Sequence, residues 1–136
     1  TLENIKLNLL RAYLANGWIS KLINSLRVEH NLSYWVNGYF SSFSDRGYLQ
    51  FVFNVERKEL KKSLKLIFTE LNKIKTINEE KDLEAHKNSL ISAIRHSNLT
   101  PTSLMWWYGW PIALGGEIIT PSTYIDKIKE LNYIYL

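Results

Sequence analysis

Leu2, Ile5, Leu9, Leu10, Tyr13 and Leu14 recur at helical spacing, which predicts an amphipathic helix at the start of the chain. Asn16-Gly17 supplies its stop, because both residues tolerate the left-handed cap conformation. Ile19, Leu22, Ile23 and Leu26 form one face of a second, shorter helix, with Lys21, Asn24, Arg27 and Glu29 largely outside it. At Leu32 the period changes. Ser33 to Phe43 is rich in Tyr, Trp, Val and Phe and suits a strand. Asp45-Arg46-Gly47 marks a turn. Leu49, Phe51, Phe53 and Val55 then alternate with Tyr48, Gln50, Val52 and Asn54, the period of a strand with one face buried. The two segments predict a β-hairpin.

Leu60, Leu64, Ile67, Phe68, Leu71 and Ile74 predict a long helix over 57–74, with Lys58, Lys61, Lys62 and Lys65 on its opposite face. Another helix is expected from Asn78, a good N-cap, with Glu79 and Glu80 where the helix dipole favours anions and Leu83, Leu90, Ile91 and Ile94 along its inner side. Thr100-Pro101 reads as a cap followed by Pro at the first helical position. The cluster Trp106, Trp107, Tyr108 and Trp110 then reads as a buried, aromatic-rich helix or turn ending near Gly115-Gly116. Thr120-Pro121 repeats the cap signal, and Tyr124, Ile125, Ile128 and Leu131 form a last helical face. The class is α+β. A lone hairpin is marginal in water and wants partner strands or a packed helix. Tyr133 to Leu136 has the composition to start another strand. With Thr1 in place of an initiator Met, these features read as a single domain over 1–136 that is part of a longer chain, truncated at its N-terminal strand.

Composition narrows the class. A length of 136 residues fits one domain, and 46% hydrophobic with 13% aromatic residues excludes a disordered chain. The absence of Cys excludes a disulfide scaffold, a thiolate zinc site and a Cys nucleophile, and leans toward a reducing, cytoplasmic compartment. Glu3, Lys6 and Arg11 interrupt the first apolar stretch, which does not read as a signal peptide. Leu104 to Leu114 contains Gly109 and Pro111 and falls well short of the roughly 20 apolar residues of a membrane span, so no membrane partner is expected. Lys+Arg 17 against Asp+Glu 13 gives a net charge of +4, which permits nucleic-acid contact without demanding it.

Most catalytic motifs are missing. His30, His86 and His96 have no second His at ligand spacing and read as solvated or helix-surface histidines, so no metal or other cofactor is expected in this chain. No phosphate-binding glycine loop and no G-x-S-x-G elbow occurs. Tyr34, Trp35, Tyr39, Phe40, Phe43 and Tyr48 make an aromatic sheet that stacks bases one alternative reading, although such residues are more often core. A more specific constellation is Arg27 at the end of a short helix with Tyr34 seven residues on, near the same helix-to-strand junction. A guanidinium holds a peptide carbonyl or carboxylate by its fork of donors, and a tyrosine hydroxyl donates to a carbonyl oxygen as it becomes an oxyanion. The residues alone favour the plainer alternative, a surface Arg beside a half-buried Tyr.

The run from Asn16 to Val55 resembles the second half-domain of the M16 metallopeptidases, the pitrilysin, insulinase and mitochondrial processing peptidase family. Gly17, Ser20, Leu22, Leu26-Arg27, Leu32-Ser33-Tyr34 and Val36 match its helix-to-strand motif, and Asp45 and Gly47 match its hairpin turn. Asp82-Leu83-Glu84-Ala85-His86-Lys87 resembles a later helix, and Gly115-Gly116 with Pro121, Tyr124 and Ile128 a later segment. Trp18 departs from the small residue the family has there, Lys21 from its frequent Arg, and Asn31 from the usual Gly.

The fold this resemblance implies is an antiparallel β-sheet covered by α-helices, of the LuxS/MPP-like metallohydrolase kind. In that family one half carries zinc and the general base. The other, metal-free half lends an Arg and a Tyr to the closed site. Carried over, Arg27 would grip substrate backbone and Tyr34 would polarise the scissile carbonyl and stabilise its oxyanion. The expected partners are a peptide substrate and a zinc-bearing half in the same chain or a separate subunit. Without the H-x-x-E-H motif, this chain alone should be inactive. A non-catalytic peptide-binding or scaffold subunit is the second reading, and a nucleic-acid binder the third.

Overall fold

The computed structural model describes residues 2–43, 45–74, 80–97 and 100–131. The expectations placed on Asn78, Glu79 and Tyr133–Leu136 lie outside the described residues. Helix α1 (Leu2–Ala15) is the spine of the molecule, because its apolar residues cover two sides rather than one. Ile5, Leu9 and Ala12, one turn apart along the helix, join Leu83, Leu90, Ile91, Ile94, Ile125 and Ile128 in one core. Leu10, Tyr13, Leu14 and Ala15 join Leu22, Leu26, Val36 and Ile67 in a second. Each such fully buried Leu or Ile contributes about 1.5–3 kcal/mol. Gly17, at φ 92°, ends the helix where the sequence placed its stop.

A short helix α2 (Lys21–Ile23) widens into a π-helical turn over Asn24–Glu29. Strands β1 (Val36–Ser42) and β2 (Gly47–Phe53) pair antiparallel, from Val36 opposite Phe53 to Ser42 opposite Gly47. The first strand starts at Val36 rather than Ser33. There the Ser33 hydroxyl donates to the Trp35 carbonyl at 2.8 Å, a local bond that competes with a ladder. α1 lies against β1 where Gly38 leaves room: a Cβ there would stand 3.1 Å from that of Ala15. A 3₁₀ turn at Arg57–Glu59 leads into α3 (Leu60–Lys73), which puts Ile67 into the second core and leaves Leu60, Leu64 and Phe68 exposed. α4 (Glu80–Ser97) packs on α1 and on α7 (Pro121–Glu130). The result is α+β, with helices on an antiparallel hairpin.

The two cap-plus-Pro signals form as the sequence predicts: Thr100 Oγ1 accepts from the Ser103 N–H and Thr120 Oγ1 from the Thr123 N–H, each at 3.2 Å. Between them run α5 (Pro101–Leu104), a π turn at Met105–Gly109 and α6 (Trp110–Ala113). The aromatic cluster here is not buried as expected. Trp106 and Trp110 are exposed and meet each other at a tilt of 51°, with centroids 5.9 Å apart. Trp107 and Tyr108 are half-buried, and Trp107 donates to the Ile119 carbonyl at 2.7 Å and meets Tyr124 edge-on. Consecutive residues on a helix point in different directions, so one inward face cannot take a whole aromatic run. Among the described residues, no helix is long and apolar enough to cross a membrane.

Candidate functional site

Arg27 sits on the π turn, between buried Leu26 and exposed Val28. The widened turn sends the chain back on itself. The Leu26 carbonyl accepts from the Leu32 N–H at 2.7 Å and the Ser33 N–H at 3.2 Å, while the Arg27 carbonyl accepts from the Asn31 N–H at 3.2 Å. Asn31 takes φ 49°, a left-handed conformation that Asn adopts more readily than most side chains. This is the position where the resembled motif has Gly, a residue that enters the left-handed region without steric cost. The reversal brings Tyr34 over Arg27, with the guanidinium carbon 4.4 Å from the ring centroid. Tyr34 lies in the bend before β1, not on the strand, and is 79% exposed rather than half-buried.

A third residue, absent from the sequence reading as a site residue, completes the cluster. Trp18, 73% exposed, stands with its ring centroid 4.5 Å from the same guanidinium carbon. The only signal for it was its place in the motif, where a bulky ring replaces a small residue. Two anchors fix the backbone around it. The Ser20 N–H donates to the Gly17 carbonyl at 3.1 Å, and the Ile19 carbonyl lies 3.2 Å from His86 Nε2. Among the described residues Arg27, half-buried, and the exposed Tyr34 hydroxyl have no ion pair or hydrogen bond through their side chains.

His86 also departs from its expected setting. It is only 1% exposed, not solvated, because α4 turns this position inward against Tyr13, with ring centroids 4.7 Å apart. Its Nδ1 lies 2.7 Å from the Asp82 carbonyl. The Asp82 carboxylate pairs with the Lys21 ammonium and accepts from the Tyr13 hydroxyl at 3.2 Å. Burial raises the Asp82 carboxyl, but Lys21, His86 and Tyr13 together outweigh it and hold the group below its ordinary value. This polar hub ties α4 to α1 and to the Ile19 segment that carries Trp18.

The described residues do not suit a metal. No group of three or more His, Cys, Asp or Glu comes together among them. The His86 ring nitrogens face backbone carbonyls, and His30 Nδ1 lies 2.8 Å from the Ser25 carbonyl. What the site offers is a cation, a phenol and an indole at one junction. The cation binds oxygen, the phenol donates a hydrogen bond, and the indole packs.

A family profile described as the peptidase M16 inactive domain matches residues 1–90. The fold is similar to the crystal structure of a conserved protein from Enterococcus faecalis V583, at 20% identity and a TM-score of 0.78 over 93% of this chain. This chain spans 30% of the length of that one. A search of curated proteins returned no match.

Proposed function

The chain belongs to the peptidase M16 family through its inactive domain, and from that premise we propose that it is the metal-free half of a zinc metalloendopeptidase. The observation that carries this reading is Tyr34 set over Arg27 at 4.4 Å, with no side-chain hydrogen bond or ion pair to either among the described residues. Arg27 holds the substrate backbone near the scissile bond. The Tyr34 hydroxyl donates to the carbonyl oxygen and strengthens that bond as the oxygen gains charge, which is where hydrogen bonding lowers a barrier. Zinc and the general base are assigned to the companion half, where the metal supplies an activated water. Exposure of the Tyr34 side chain, with Arg27 half-buried beneath it, supports the need for a second surface to close over the peptide and exclude water.

The test combines the chain with a companion half bearing H-x-x-E-H, followed with an internally quenched peptide. Neither half alone should cleave it and the mixture should. Arg27→Ala should reduce kcat/KM by about 10–100-fold, the scale of one lost charge-assisted hydrogen bond. A mixture that cleaves equally well with Arg27→Ala would overturn the assignment. A mixture that binds the peptide through Arg27 and never cleaves it would replace the enzyme with a peptide-binding subunit.

A further inference from the structure

Arg27 has no carboxylate partner among the described residues; it has two rings. The guanidinium carbon stands over Trp18 at 4.5 Å and over Tyr34 at 4.4 Å. A guanidinium is planar, with five N–H donors in its plane and none along the normal. Ring faces stabilise the charge by their quadrupole but use up none of the in-plane donors. Two rings within 4.5 Å of the guanidinium carbon therefore restrain the group without consuming its donors. A backbone carbonyl uses one or two of the five donors and leaves the positive charge unneutralised. A carboxylate fits the remaining edge by two parallel N–H···O bonds and neutralises it. The backbone of Trp18 is fixed on both sides, by Gly17 at φ 92° and by the Ile19 carbonyl against buried His86. From that backbone its ring, 73% exposed, reaches 4.5 Å from the cation.

We propose that Trp18 is a positioning residue which, with Tyr34, holds Arg27 edge-on for a peptide carboxylate. The site then selects peptides carrying an acidic side chain or a free C-terminus within reach of Arg27. This rests on the reading of Arg27 as peptide-binding and names the chemistry it selects.

Three acetylated octapeptides of one sequence test it on the full chain: a neutral one with Gln and a C-terminal amide, one with Glu for Gln, and one with a free C-terminus. Affinities are measured by titration calorimetry, and the Arg27 Nε–H proton is followed by NMR, where ring currents mark the stacking. At least one acidic peptide should bind about tenfold tighter than the neutral one, and which one does separates side chain from terminus. Arg27→Ala should erase the difference. Trp18→Ala should shrink it by about 2–5-fold and move the Arg27 Nε–H resonance, while Trp18→Phe restores most of both. Equal binding of all three peptides, each weakened by Arg27→Ala, overturns the carboxylate but keeps the peptide site. No effect of Arg27→Ala on any peptide overturns both. An unchanged preference and resonance in Trp18→Ala overturns the positioning role.

Discussion

Replacing His86 with Ala tests the hub that supports the site. The substitution empties a space that is only 1% exposed and packed on Tyr13 at 4.7 Å. Truncating a buried Phe or Trp ring costs about 3–5 kcal/mol, and an imidazole is smaller, so about 2–3 kcal/mol applies. The ring donates to at least one of the two carbonyls it faces, at 2.7 and 3.2 Å, and losing that donor costs about 1 kcal/mol. Ala returns about 0.5 kcal/mol through its higher helix propensity. The net loss is about 3 kcal/mol, which at a urea m-value of about 2 kcal/mol/M lowers the midpoint by about 1.5 M. Urea titration followed by far-UV circular dichroism reads this directly. His86→Gln, whose amide keeps a donor, should recover part of it. A midpoint within about 0.3 M of wild type for His86→Ala would refute the claim that this ring ties α4 to the Ile19 segment.

Gly38→Val should cost about 1–3 kcal/mol by overpacking, because even a Cβ there lies 3.1 Å from Ala15 Cβ and 3.2 Å from Arg11 Cγ; an unchanged urea midpoint would show that α1 does not press on β1. Asp82, held below its ordinary carboxyl value of 3.8, gives stability that is complete above that pH and lost as pH falls through its lower folded value. Asp82→Asn should therefore flatten the acid limb of stability against pH, and an acid limb as steep as wild type would contradict the pairing with Lys21. Thr120→Ala removes the oxygen that accepts from the Thr123 N–H at 3.2 Å and should cost about 1 kcal/mol by thermal unfolding, with no loss expected if the cap is ornamental.

Much of the fold was legible because its signals are local. The period of Leu2 to Leu14, the stop at Gly17, the Asp45-Arg46-Gly47 turn and the Thr-Pro caps each act within a few residues, and each appears where the pattern put it. The π turns at Asn24–Glu29 and Met105–Gly109 were not legible, since one inserted position barely disturbs a hydrophobic period. Burial direction was the larger gap. Trp106 and Trp110 turned out and His86 turned in, because a run of consecutive aromatics or a lone His sets no helical period, and the packing neighbours decide which way it faces. At the site, Arg27 and Tyr34 were placed together by their spacing across a helix-to-strand junction. Trp18 was not, because its approach depends on how the segment after α1 is pinned by α4, a contact 67 residues away in sequence.

The central claim is that Tyr34 acts on the reacting carbonyl. Its most direct measurement is kcat for Tyr34→Phe in the chain combined with the zinc-bearing companion half proposed above. The substitution deletes one hydroxyl and leaves the ring stacked on Arg27. A transition-state donor predicts kcat lower by about 10²–10³-fold with KM little changed. An unchanged kcat, or a change confined to KM, would contradict it.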